Sequence, residues 1–129
     1  MPYVYNEARQ LEKKDKIGDK ECVTLVKHYT RLGWTGSWRE GETVGGNKNI
    51  APGTASATFV DGKWPTLTTG NHSGFYLGQV SNGIYIMDQW PNMVQKPKIS
   101  MRFLYRLGKD KNGKYINPPQ NADAFSVIE

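Results

Sequence analysis

The chain has one cysteine, Cys22, and only two histidines, His28 and His72. A lone thiol cannot close an intramolecular disulfide, and one cysteine with two scattered histidines is too few for a zinc site. Neither a metal nor another cofactor is expected. No segment approaches the ~20 apolar residues that a membrane-spanning helix needs, so membrane insertion is not expected. No charged start is followed by an apolar stretch, so no signal peptide is expected either. Internal repeats and low-complexity segments are absent. Basic residues do not form a stripe interleaved with aromatics, which argues against a nucleic-acid partner. Their densest groups, around Lys13, Lys14 and Lys16 and around Lys109 and Lys111, are interrupted by Asp15 and Asp110.

What is present fits one α+β domain. A length of 129 residues supports a core without metal or disulfide staples. Fourteen glycines and 12% aromatics suit a turn-rich sheet with broad ring surfaces. The net charge of +5 favours an anionic partner, for which nucleic acid, acidic lipid and a carboxylate-bearing cell wall all qualify on charge alone.

Asn6 predicts a short amphipathic helix over residues 7–14, with Ala8 and Leu11 inward and Gly18 ending the unit. Asp19 predicts the cap of a second helix over 20–32, closed by Gly33. Residues 34–52 read as a long loop. Strands are expected over 54–60, 72–80, 84–90 and 99–107, with a short one around 115–116 and an extended tail from Pro118. Helices followed by a strand meander give helices packed on an antiparallel sheet.

The chemistry narrows to a few side chains. A cysteine in the first turn of a helix meets free N–H groups and the positive end of the dipole, which favour thiolate. Buried packing is the alternative use of a single cysteine. A thiol nucleophile also needs a base, and the base needs an orienting partner. His28 lies six residues beyond Cys22, about 240° around a helix and off its face. His72 opens a strand, where its ring can project past the sheet edge. Asp88 sits inside an apolar strand, where an acid is costly unless paired; capping a loop or pairing with a surface lysine is the other explanation. His72 and Asp88 share a face only if a bulge or a longer loop offsets a two-residue hairpin turn, and residues 78–83 leave room for one. The Cys22 N–H is one expected oxyanion donor, with Gln89 or Gln79 as candidates for the second. Trp34, Trp38, Trp64 and Trp90 are candidate groove walls, with one or two expected at the site.

Residues 16–27 (KIGDKECVTLVK), 54–59 (TASATF), 72–79 (HSGFYLGQ) and 83–90 (GIYIMDQW) carry a resemblance. Together they resemble the second group of amidase effectors of bacterial type VI secretion, domesticated copies of which occur in ticks. More distantly the chain is similar to the NlpC and CHAP cysteine peptidases, of papain-like fold. The resemblance implies Cys22 as nucleophile, His72 as general base and acid, and Asp88 as orienting residue. Trp38, Trp64, Gln89 and Trp90 are the expected substrate-binding residues. The implied substrate is bacterial peptidoglycan, cut at the cross-link between D-alanine and meso-diaminopimelate. A secreted antibacterial toxin acting in the periplasm or on the target wall follows, with a cognate immunity protein as a further partner. Two features depart from the family pattern. Lys20 and Glu21 stand where a small residue and glutamine often precede the cysteine, and the His-to-acid spacing is nearer the CHAP pattern. A non-catalytic wall-binding module is the rival reading, and an acyltransferase would share the same chemistry up to deacylation.

Overall fold

The computed structural model describes residues 2–67 and 69–129. Helix α1 spans Cys22–Tyr29. The strands are β1 (Glu40–Thr43), β2 (Thr54–Thr58), β3 (Ser73–Val80), β4 (Gly83–Asp88), β5 (Ser100–Tyr105) and β6 (Phe125–Ile128). They form one sheet in the order β1-β6-β2-β3-β4-β5, antiparallel at every junction. The architecture is α+β, as expected.

Both helix boundaries differ from the expected ones, for local reasons. The 7–14 helix shrinks to a single 3-10 turn, Ala8–Leu11, whose Ala8 and Leu11 are buried as expected. Lys13 takes φ +67° and its N–H bonds to Ile99 O at 2.8 Å, which ends any helical continuation. The second helix starts at Cys22 because Lys20 adopts φ +70°, outside helical space. Asp19 therefore does not cap; its Oδ1 accepts from Glu21 N at 3.0 Å and Thr24 Oγ1 at 2.6 Å. At the far end Thr30 turns extended and its hydroxyl donates to Val26 O at 2.6 Å, closing the helix three residues before the expected end.

Two strands escaped sequence reading. β1, of sequence EGET, lies in the expected 34–52 loop and is a polar edge strand with no apolar alternation to betray it. β6 arises where an extended tail is expected and inserts between β1 and β2, with all four residues buried. Two 3-10 turns, Pro118–Gln120 and Ala122–Ala124, lead into it. The expected strand at 115–116 is only a single bridge, Lys109 to Tyr115.

Apolar side chains cover both sheet faces. On one, Leu25 and Val26 of α1 pack with Ala55, Ala57, Phe75, Leu77 and Met87. On the other, Tyr76, Ile84, Ile86, Leu104, Phe125 and Val127 form a second cluster. Each fully buried large apolar side chain adds about 1.5–3 kcal/mol.

The β3–β4 hairpin positions the site. Its two-residue loop, Ser81-Asn82, pairs Val80 with Gly83 and Gln79 with Ile84. A bulge at Leu77 then shifts the register, so Tyr76 faces Ile86 and Phe75 faces Met87. That one-residue offset puts the open ends of both strands, with His72 just before β3 and Asp88 closing β4, on one face. Gly74 lies between them in the ladder. A Cβ there would sit 2.7 Å from Ile86 Cδ1 and 2.8 Å from Met87 O, so the close strand approach requires glycine. Helix α1 packs on β3 and brings its amino end to the same rim.

Candidate active site

His72 is fixed before its ring is considered. Its N–H donates to Thr58 Oγ1 at 3.0 Å, and its carbonyl accepts from Thr58 N at 2.9 Å. The buried ring places Nε2 2.7 Å from Asp88 Oδ2. With Nε2 engaged, Nδ1 is the nitrogen left for the Cys22 thiol, whose proximity raises the ring's pKa. The structure thus brings Cys22, His72 and Asp88 together. Cys22 is partly exposed, and with His72 it lines a cleft of about 510 Å³. His28 stands apart, exposed and edge-on to Tyr29.

The electrostatics follow from burial opposed by pairing. For Cys22, burial is the largest single influence and pushes the thiol pKa up. Hydrogen bonding and charge from His72, together with the polar groups of Ser73, outweigh it, and the pKa falls below 9.0. For His72, burial pushes the ring pKa down, but Asp88 and Cys22 carry it above 6.5. For Asp88, burial again opposes ionisation, and His72 with Arg102 brings the carboxyl below 3.8. The directions are those of a thiolate–imidazolium pair backed by a carboxylate. The buried hydroxyl of Ser73, the residue after His72, has no hydrogen-bond partner.

Trp90 stacks on the His72 ring at 4.1 Å with the planes 14° apart, shielding the His–Asp bond from water. It lines the cleft, as does Trp64. Three expected cleft residues, Trp38, Gln89 and Trp34, lie outside the cleft lining. Trp38 is 3% exposed, donates Nε1 to Gly33 O at 3.1 Å and packs edge-on against Trp64, so it supports the wall without reaching the cleft. Gln89 is wholly buried. Its Oε1 accepts from Ile17 N at 2.8 Å, while Nε2 donates to Ile17 O at 3.1 Å and Glu21 O at 2.8 Å. The amide is consumed in tethering the segment before Cys22, leaving nothing for substrate or oxyanion. Gln79 is equally occupied: Gly46 N donates to it, and it donates to Val44 O, Asn47 O and Tyr76 Oη. Trp34 is 74% exposed and lies outside the cleft lining.

Gln89→Ala should therefore cost stability more than substrate affinity. Three buried bonds are lost, and the expected destabilisation is about 2–3 kcal/mol in urea melts. A variant of wild-type stability with raised KM would instead make Gln89 a substrate contact.

The model of a family described as domesticated amidase effector 2 matches residues 6–128. The chain belongs to the amidase effector 2 family. It is 43% identical over 133 residues to a type VI secretion amidase effector 2 protein from Salmonella typhi, with all of both chains covered. A solved type 6 secretion amidase effector 2 superposes with a TM-score of 0.92 at 41% identity, covering 98% of this chain and 94% of that one.

In this member of the family one charged residue at the site is not among those expected from the sequence. Arg102 on β5 is 9% exposed and bonds Asp88 Oδ2 through Nε at 2.7 Å and Nη2 at 2.5 Å. A cation inside an apolar strand was the available signal, but only the β4–β5 register reveals its partner. Arg102 faces Ile86, which makes Asp88 its diagonal neighbour on the same sheet face. Among the described residues no cluster of three or more His, Cys, Asp or Glu could hold a metal ion, and no helix is long and apolar enough to cross a membrane.

Proposed function

We propose that residues 1–129 form a single cysteine peptidase domain that hydrolyses stem-peptide bonds of bacterial peptidoglycan. The bond we assign is the D-alanine–meso-diaminopimelate cross-link. The observation that carries this reading is the buried His72–Asp88 pair beside Cys22, with Cys22 and His72 lining an open cleft. Membership of the amidase effector 2 family supports it independently.

In the proposed reaction His72 Nδ1 takes the thiol proton, and the Cys22 sulfur attacks the scissile carbonyl carbon. The helix-start N–H of Cys22, which has no intrahelical partner, stabilises the oxyanion. The carbon–nitrogen bond breaks, and the amine leaves with the proton carried by His72. Water then gives a proton to His72 and attacks the thioester, releasing the carboxylic acid and restoring the thiol. Asp88 fixes the ring orientation and stabilises the imidazolium. Trp64 and Trp90 supply apolar walls for the substrate. The net charge of +5 holds a small enzyme near an anionic wall. The protein would act in the periplasm or on the wall of a target bacterium, and a cognate immunity protein would protect the producer.

Digestion of purified sacculi followed by mass spectrometry of the muropeptides tests this. Cross-linked dimers should decline while monomers with a newly freed D-alanine carboxyl and diaminopimelate amine accumulate. Protein retained on sacculi that yields no cut muropeptide would leave a binding module in place of a hydrolase.

A further inference from the structure

Asp88 uses its two oxygens unequally. Oδ2 receives His72 Nε2, Arg102 Nε and Arg102 Nη2, whereas Oδ1 is buried without a hydrogen-bond partner. Imidazole and guanidinium fork thus converge on one oxygen of the Asp88 carboxylate. Arg102 is itself anchored. Its Nη1 donates to Gln120 Oε1 at 2.7 Å, its Nη2 reaches Pro119 O at 3.4 Å, and its Cζ lies 5.2 Å from the centre of the Trp90 ring. Trp90 in turn covers His72, and Pro119 borders the cleft.

We propose that Arg102 is a positioning residue for the thiol chemistry: its guanidinium fork locks the Asp88 carboxylate onto His72, and its charge balances the site. The inference rests on the triad reading given above. When the thiol is ionised and the ring protonated, the charges alternate from sulfur to guanidinium: minus, plus, minus, plus. The set sums to zero in a buried setting. Without Arg102 the same four positions carry one uncompensated negative charge, which favours proton binding at every remaining site. Thiol, imidazolium and carboxyl pKa values all move upward together. Without the fork the carboxylate is also free to turn about its last torsion and exchange oxygens, so the ring loses its fixed partner.

Other charges face this set and must be counted. From the β4–β5 connection, Lys96 couples to both members of the pair: burial and Arg102 lower its pKa, and Asp88 raises it. Lys16 donates its ammonium to Trp90 O on the outer side of that residue. Glu21 and Lys27 from the helix, of opposite sign, lie along the cleft with Cys22. None of these donates to Asp88 Oδ2, and a Lys96 left in place supplies only a diffuse remainder of the lost charge.

The test follows the pH dependence of Cys22 alkylation by iodoacetamide, an uncharged probe, alongside kcat and KM on a soluble cross-linked muropeptide dimer. In R102Q both limbs of the profile should move about one pH unit to the alkaline side. In R102K, which keeps the charge but loses the fork, the limbs should stay in place while kcat falls about tenfold and KM holds. A purely structural arginine would lower stability and leave the limbs where they are. R102Q limbs that coincide with wild type, or move acidward, would overturn the proposal. Should R102Q fail to fold, R102K decides: unchanged limbs with reduced kcat support the proposal, and a wild-type kcat overturns it. A wild-type thiol that alkylates like an ordinary cysteine, only above about pH 8.5, would instead overturn the triad reading and this inference with it.

Discussion

Cys22→Ala is expected to lose peptidoglycan hydrolysis by at least about 10³-fold, the scale on which removal of a covalent nucleophile is felt. The fold should survive, since Cys22 is partly exposed and belongs to neither core cluster. His72 keeps its bond to Asp88 and its backbone bonds to Thr58 in the variant. Urea denaturation should therefore fall within about 1 kcal/mol of wild type. Turnover of a soluble muropeptide dimer gives the first quantity and the melt gives the second. Persistent hydrolysis by a folded Cys22→Ala protein would end the thiol mechanism, whatever the geometry of the neighbouring ring.

The second large effect separates the geometry of Asp88 from its charge. In Asp88→Ala the buried Arg102 guanidinium and the His72 ring both lose their partner, and breaking a buried pair costs about 3–5 kcal/mol. Activity should fall by about 10³-fold as the ring loses its tautomer and orientation. Asp88→Asn is expected to behave differently. All three donors converge on Oδ2 and none reaches Oδ1. An amide can therefore place its oxygen among the donors and its nitrogen in the vacant position. The shape is kept and only the negative charge is lost, so the fold should persist and kcat should drop less than in Asp88→Ala. Loss of that charge lowers the His72 pKa, so the alkaline limb of the rate profile should move to lower pH. An asparagine variant as damaged as the alanine one would mean that charge, not placement, dominates.

The stability side carries a definite sign. Asp88 titrates below its ordinary 3.8 in the folded chain. Its contribution is present above that value and is lost as pH falls through the lowered one. The advantage of wild type over Asp88→Asn in urea should therefore shrink in acid. His72 titrates above its ordinary 6.5, so its contribution is complete below 6.5 and fades as pH rises through the raised value. Cys22 is lowered from 9.0, so its contribution is complete above 9.0 and is lost as pH falls through the lowered value.

How much of this was legible in the residues depends on scarcity. With one thiol and two imidazoles in the chain, the candidates for covalent chemistry could be named directly, and helical rotation set His28 aside. Asp88 stood out because an acid in an apolar strand must be paired. The bulge that brings His72 and Asp88 onto one face was legible as a requirement of parity, and the structure places it at Leu77. Other residues gave no comparable signal. Gln89 beside a tryptophan looks like a cleft residue until its three bonds to Ile17 and Glu21 are seen. Trp38 and Trp64 are alike in sequence, yet one is sealed in the core and the other borders the cleft. The polar β1 lacks the alternation by which strands are recognised, β6 is only four residues long, and each takes its stability from pairing with a distant strand.

By itself the sequence determined which chemistry was available, since reactivity belongs to side-chain type and only a few such side chains exist here. It also determined the α+β order, because hydrophobic periodicity and glycine placement act over short stretches of chain. The tertiary structure alone decided which buried charges meet. Arg102 and Asp88 lie on strands joined by a connection whose path no local pattern dictates, and strand register is settled by burial of whole faces rather than by any residue within them.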